Sequence, residues 1–439
     1  MASALRRNRE SDTGEGPAAL RVNWVWLVLL VSTFAHIPIY VSSMAEMENA
    51  SALRKILHIP LDLTSPGFFI NFSVFDFAVP ALVMIGFSRR QLVFAGNRII
   101  VLVAVAPVII LLHSSAMLFF AGDLNVVWLL KESVKLVIVT VHFGLLVLLF
   151  QIPALRFPPT GITAVCLALA LPAVILNSRF ELTIGNNWFF IPRTVLAVVL
   201  VGFLFLLLAD GKWGDSLKSR ARIVAAALAV TLIAALTFSK MAAGVAGASS
   251  LWLLFGIRRQ ESVPAPLKMI VLAIAVLGTG MLLFFGVERV LGVDSWERSI
   301  GVRLDLWRVA AENIWASFPV GLGLGQFAET MRLGETLAGE GHRYTHNSFL
   351  GLTTELGLLG ILLTVGLIAI ARKAAQGFPV VVIPLFLIFI IPPLIIHDGH
   401  TFRMVVLVLA LGFARSMYPA TMESEETAED PTRQTARRN

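Results

Sequence analysis

The feature that most constrains this chain is a series of apolar runs, each about as long as a bilayer is thick, separated by short polar breaks. A membrane's hydrocarbon core is about 30 Å across and a helix rises about 1.5 Å per residue, so about twenty apolar residues make one span. Runs of that kind fall near 22–42, 69–87, 99–121, 125–150, 161–178 and 189–209, then near 222–238, 241–256, 268–286, 347–371, 379–396 and 401–417. The break at Ser239–Lys240 is either a tight hairpin or a kink in one longer helix. Composition agrees. Only 14% of the residues are charged and 57% are hydrophobic, whereas a soluble surface needs roughly a quarter charged. The expected fold is therefore all-α: a polytopic integral membrane protein of about 12 transmembrane helices.

Charge sets the orientation. The net charge of +7 does not mark a nucleic-acid binder, because the basic residues follow topology. If the first helix runs from inside to outside, the inner segments hold Arg6, Arg7, Arg9, Arg21, Arg89, Arg90, Arg98, Arg156 and the cluster Lys212 to Arg222. They also hold Arg258, Arg259, Lys268, Arg372, Lys373, Arg415 and the C-terminal arginines, which is most of the 35 basic residues. Short inner loops dense in Lys and Arg obey the positive-inside rule, and both termini are expected in the cytoplasm. Arg6, Arg7 and Arg9 before a full-length apolar run read as an uncleaved signal anchor. The organisation expected is a disordered cytoplasmic tail over 1–21, nine spans over 22–286, an outer loop over 287–346, three spans over 347–417 and a disordered cytoplasmic tail over 418–439. The single cysteine, Cys166, has no partner for an internal disulfide and reads as a small buried hydrophobe.

The remaining cations break the rule. Arg289, Arg298, Arg303, Arg308, Arg332 and Arg343 share the outer loop; Arg179 and Arg193 surround a short outer loop; Lys240 lies at the hairpin, and Lys131 and Lys135 lie in the fourth span. Cations gathered on one face point to an anionic ligand there; the bland alternative is solvated loop charge and snorkelling to headgroups. In the long loop, residues 302–316 have the apolar spacing of an amphipathic helix, ended by Pro319. Trp307 and Trp315 suit a headgroup region, so this helix is expected to lie along the membrane surface. Gly321-Leu-Gly-Leu-Gly325 then gives a turn through which backbone approaches a partner closely; no strand precedes it, so it is not a nucleotide loop. Asn347 is a plausible N-cap for the tenth span. His346 therefore stands at a helix N-terminus, where the macrodipole disfavours imidazolium and a neutral ring suits a general base.

The order Arg303-Leu-Asp-Leu-Trp307, Phe318-Pro-Val-Gly-Leu-Gly-Leu-Gly325, Thr345-His-Asn-Ser-Phe-Leu350 and Glu355-Leu-Gly-Leu-Leu-Gly360 resembles the signature of the O-antigen ligase/polymerase superfamily. That signature is carried on a large periplasmic loop, here between the ninth and tenth spans. The resemblance implies a metal-independent GT-C-type glycosyltransferase of the Gram-negative inner membrane, with its active site facing the periplasm and no cofactor. It implies transfer of a glycan from undecaprenyl pyrophosphate to a sugar hydroxyl of lipid A–core, with inversion. By similarity His346 matches the family's essential histidine and Arg303 its loop arginine, and Asp398 resembles a further family acid. Where the family often has Ser-Arg at the mid-chain hairpin this chain has Ser239-Lys240, which keeps the charge and loses the bidentate fork.

Elementary chemistry asks for the same parts. A pyrophosphate leaving group gains charge as its bond breaks, and guanidinium groups match phosphate well. A sugar hydroxyl is a poor nucleophile, so a positioned base helps. Arg179, Arg193, Lys240, Arg308 and Arg343 are the further expected phosphate ligands. Lys131 and Lys135 either line the lipid-pyrophosphate groove or pair with Glu132 and snorkel. Asp76 and Glu355 are ionisable groups inside spans and so functional candidates, though Glu355 would equally serve by bridging an arginine. A zinc site from His342, His346, His397 and His400 is disfavoured by the surrounding cations. Two other functions stay open. An O-antigen polymerase shares the donor and differs in the acceptor, and a lipid-linked glycan flippase should show paired broken helices in repeated halves, which are not evident.

Overall fold

The computed structural model describes residues 22–33, 36–42, 58–60, 68–88, 92, 98–120, 124–179, 183–184, 187–188, 199, 202–203, 206–207, 292–327, 345, 347–377 and 401–418. The spans expected near 222–238, 241–256, 268–286 and 379–396, and nearly all of 189–209, lie outside them. Helices dominate: α1 (Val22–Ser32), α2 (Val74–Ser88), α3 (Arg98–Phe120), α4 (Val126–Leu149), α5 (Thr160–Arg179), α6 (Gly292–Ser317), α7 (Ser348–Leu356), α8 (Leu358–Gly377) and α9 (Thr401–Met417). Among the described residues α4 and α8 are long and apolar enough to cross a membrane, and α1, α2 and parts of α3 and α5 form shorter apolar helices. Many apolar side chains point outward, among them Phe77, Met84, Leu112, Leu362 and Val365. Water penalises such faces and lipid does not, so this is a membrane protein.

The described residues are mostly helical, as an all-α fold requires, with two small groups of paired strands beside the helices. Strand β1 (His36–Ser42) pairs antiparallel with β3 (Phe68–Ser73), His36 opposite Ser73, and parallel with β2 (His58–Pro60), Tyr40 opposite His58. A two-residue pair, β4 (Thr183–Ile184) and β5 (Asn187–Trp188), follows α5. The first two spans are accordingly shorter than 22–42 and 69–87. Pro38 has no amide hydrogen to continue a helix, and the residue before it is pushed out of the α region. Ser32 and Thr33 donate their hydroxyls back to the Leu29 and Leu30 carbonyls at the helix end. At the start of α2 the Ser73 hydroxyl accepts from the Phe75 amide (3.1 Å), while the Asp76 carboxylate accepts from the Ser73 amide (2.8 Å). That reciprocal capping box fixes the strand-to-helix junction.

Helix α4 is the hub, packed against α2, α3 and α9; α8 lies along α9, α6 on α7, and α1 on α2 and α5. Two sets of polar contacts tie its neighbours together. Beside His142 of α4, Asp76 of α2 takes a bidentate ion pair from Arg403 of α9, at 3.1 and 2.6 Å, with the side chains only 9% and 12% exposed. At the C-terminal end of α4, Arg156 donates to the carbonyls of Phe150 (3.1 Å), Gln151 (3.0 Å) and Tyr418 (2.6 Å), fastening the turn after α4 to the end of α9. These three donors meet carbonyls that helix ends leave without an intrahelical partner.

The tenth span, expected as one helix over 347–371, is broken. Gly357 stands between α7 and α8 at φ 56° and ψ −128°, a conformation open essentially to glycine alone. A Cβ there would collide with the Pro319 carbonyl oxygen. Gly357→Ala is expected to destabilise the protein by about 2–3 kcal/mol. Gly366→Ala, on α8 with nothing within 4 Å of the added carbon, is expected to be neutral or slightly stabilising. Thermal unfolding of the two purified variants checks this contrast; equal melting temperatures would contradict it.

Candidate functional site

Helix α6 extends the expected amphipathic segment at both ends. Leu306 and Ala310 are buried one turn apart and meet Phe327, with Val302, Trp307, Val309 and Leu350 closing around them. That face seats α6 on the start of α7. It also decides the fate of the two tryptophans. Trp315 is 91% exposed, as a headgroup residue should be. Trp307 is turned inward instead, and its indole N–H donates to the Thr345 carbonyl at 2.9 Å. Arg303 lies one turn before Trp307, half-buried, with no ion-pair partner among the described residues.

Thr345 and Asn347, the neighbours of position 346, are both fixed. The buried Thr345 hydroxyl donates to the Asn347 carbonyl (2.7 Å) and accepts from the Asn347 amide (3.2 Å). The Asn347 side chain accepts from the Leu350 amide, so the expected N-cap of α7 is present. Trp307→Phe keeps an aromatic side chain but removes the N–H donor and part of the packing, a loss of about 1–3 kcal/mol in stability. If the Thr345 carbonyl sets the position of the next side chain, turnover should drop by about tenfold, because small misplacements at a reacting centre are costly. Kinetics and melting of the variant, measured together, separate the two effects.

The glycine run is the second element of the site. It docks into the α7–α8 break: the Leu322 amide donates to the Thr354 carbonyl (2.9 Å), Gly323 to the Glu355 carbonyl (2.8 Å), and Leu358 back to Pro319 (2.8 Å). The buried Glu355 carboxylate faces the Gly325 and Phe327 amides. On its other side the loop meets α4. Gly325 sits so close to the Trp128 backbone that a Cβ would come within 2.7 Å of its carbonyl oxygen.

Helix α4 brings two of the expected cations to this loop. The Lys131 ammonium lies 4.1 Å over the Trp128 ring, and Lys135 pairs with the buried Glu132 at 2.8 Å. Arg308 is exposed and 3.7 Å from Asp305. Arg179 closes α5, its side chain outside the described set. His346, Arg343, Arg193, Lys240 and Asp398 lie outside the described residues, as do the histidines weighed for zinc. Arg303, Asn347, Glu355, Lys131 and Lys135 are therefore linked through α6, α7, the glycine loop and α4. Sequence reasoning passed over Gln326 and the Trp307 donor; a polar residue directly after a glycine run was the one available signal for the first.

Residues 223–365 match the family model described as O-Antigen ligase. Over that segment the chain is similar to the O-antigen ligase family. The matched segment holds Lys240, Arg303, Arg308, Arg343, His346, Asn347 and Glu355, together with the α6–α7 connection and the glycine loop. Lys131, Lys135, Arg179, Arg193 and Asp398 lie outside it. O-antigen ligase family proteins are glycosyltransferase-like enzymes of lipopolysaccharide assembly, with lipid-linked glycan and lipid A–core as substrates in general. A search of curated proteins finds no match to the chain.

Proposed function

We propose that this chain is an O-antigen ligase of the Gram-negative inner membrane, with both termini in the cytoplasm and its active site facing the periplasm. It transfers polysaccharide from undecaprenyl pyrophosphate to lipid A–core. The observation that carries this reading is the 2.9 Å bond from Trp307 to the Thr345 carbonyl, which joins the Arg303 helix to the residue preceding His346. In the proposed step His346 removes the proton of a core-sugar hydroxyl as its oxygen bonds to the anomeric carbon. The bond from that carbon to the pyrophosphate breaks with inversion, and undecaprenyl pyrophosphate leaves with the electron pair. Arg303 meets the growing phosphate charge, assisted by Arg179, Arg193, Lys240, Arg308 and Arg343, with Lys131 and Lys135 at the edge of α4. These cations do the work that a divalent ion does elsewhere, so transfer is expected to persist in excess chelator.

The test is transfer of glycan from purified lipid-linked donor to lipid A–core by the full-length protein in lipid. Arg303→Lys is expected to lose about a hundredfold or more, because a point charge does not reproduce the planar fork. Near-normal turnover in that variant would make Arg303 a packing residue, and absent transfer by the unaltered protein would remove the ligase reading.

A further inference from the structure

The O-antigen ligase reading places phosphate-binding cations on two elements far apart in sequence: the α6 helix with Arg303, and α4 with Lys131 and Lys135. A pyrophosphate that touches both is served only if the two elements keep a fixed spacing. One side chain sits where that spacing is set. Gln326 is 5% exposed, directly after the glycine run and before Phe327, which packs on Leu306 and Ala310 of α6. Its carboxamide closes a two-point pair with the backbone of Asn125, 201 residues away. The Asn125 amide donates to Oε1 at 3.0 Å, and Nε2 donates to the Asn125 carbonyl at 3.0 Å. Nε2 also reaches the Leu324 carbonyl at 3.4 Å. Asn125 is itself the N-cap of α4, its side chain accepting from Trp128. Gln326 thus grips the residue from which α4 starts, one turn before Trp128 and the Lys131 stacked on it.

Alternative roles fit less well. The side chain is spent on main-chain groups at both ends of its amide, as in a ladder pair of a sheet, and its geometry is that of a fastener. Gly325 next to it has its Cβ position filled by the Trp128 carbonyl, so loop and helix cannot drift apart without breaking both contacts. We propose that Gln326 is a positioning residue that holds the cation-bearing start of α4 against the Arg303 helix, and so sets the fit to the donor's pyrophosphate. This rests on the function proposed above. It adds a residue that contacts no substrate and acts through Lys131, Lys135 and Arg303.

The test compares Gln326→Ala and Gln326→Glu with Gln151→Ala in the full chain in lipid nanodiscs. Gln151 donates to the Tyr418 hydroxyl at 3.1 Å, an amide tie between packed elements at the opposite end of α4. It serves as the control for loss of packing alone. Two quantities are read: affinity for undecaprenyl pyrophosphate, and kcat and KM for glycan transfer. Gln326→Ala is expected to weaken undecaprenyl pyrophosphate binding about tenfold and to lower kcat further, with the acceptor KM unchanged. Gln326→Glu, which keeps the acceptor and loses the donor, is expected to fall between. Gln151→Ala should match the wild type in both. Binding and kcat within twofold of wild type in Gln326→Ala would overturn the proposal, as would an equal loss in Gln151→Ala. A wild-type protein that binds no undecaprenyl pyrophosphate would overturn the functional reading itself, and the role of Gln326 with it.

Discussion

Replacing His346 with alanine is expected to abolish glycan transfer, by about a hundredfold to ten-thousandfold, while the protein still inserts and melts as the wild type does. That range is what a positioned base typically contributes. The expectation follows from the surroundings of position 346. Thr345 is held by the α6 indole, Asn347 caps α7, and the helix N-terminus next to position 346 disfavours a protonated ring. None of those contacts uses the imidazole, so its removal should spare the fold. His346→Gln, which keeps a polar group of similar reach and has no basic nitrogen, should be as inactive as alanine. Activity in either variant would mean that the proton leaves by another route.

The second large effect concerns stability. Asp76→Ala leaves the Arg403 guanidinium in a largely enclosed site without this carboxylate, and removes the acceptor for the Ser73 amide that starts α2. Breaking one side of such a buried pair costs about 3–5 kcal/mol. Replacing both residues by leucine is expected to recover most of that loss, because desolvation of the two charges disappears together. A double-mutant cycle read by melting temperature therefore should show strong coupling between positions 76 and 403. Additive losses would mean that the pair contributes little beyond its separate contacts. The pair joins α2 to α9, 327 residues apart in sequence.

That separation explains much of what the sequence could and could not convey. Two helix ends were legible: the N-cap Asn347 before Ser348, and the stop at Pro319 after α6. The runs His36–Ser42 and Phe68–Ser73 were not, because hydropathy measures burial and does not distinguish an apolar strand from an apolar helix. Pro38 and the Ser73…Asp76 box were the local signs of the difference. The break at Gly357 was hidden because Leu356 and Leu358 continue the apolar pattern on either side. For the candidate site, residue types and order singled out Arg303, His346 and Asn347, since the chemistry proposed for them is local. The partners of Glu355 and Gln326 are backbone groups brought in by the fold, and backbone carries no sequence signature.

The central claim is that this chain joins finished glycan to lipid A–core. Lipopolysaccharide banding and lipid-linked glycan, compared in cells with and without the protein, test it most directly. The account predicts long chains still built on undecaprenyl pyrophosphate and none attached to lipid A–core, with His346→Ala failing to restore attachment. Core bearing single repeat units with only the ladder lost would contradict it and assign the chemistry to polymerisation; an unchanged ladder would contradict both.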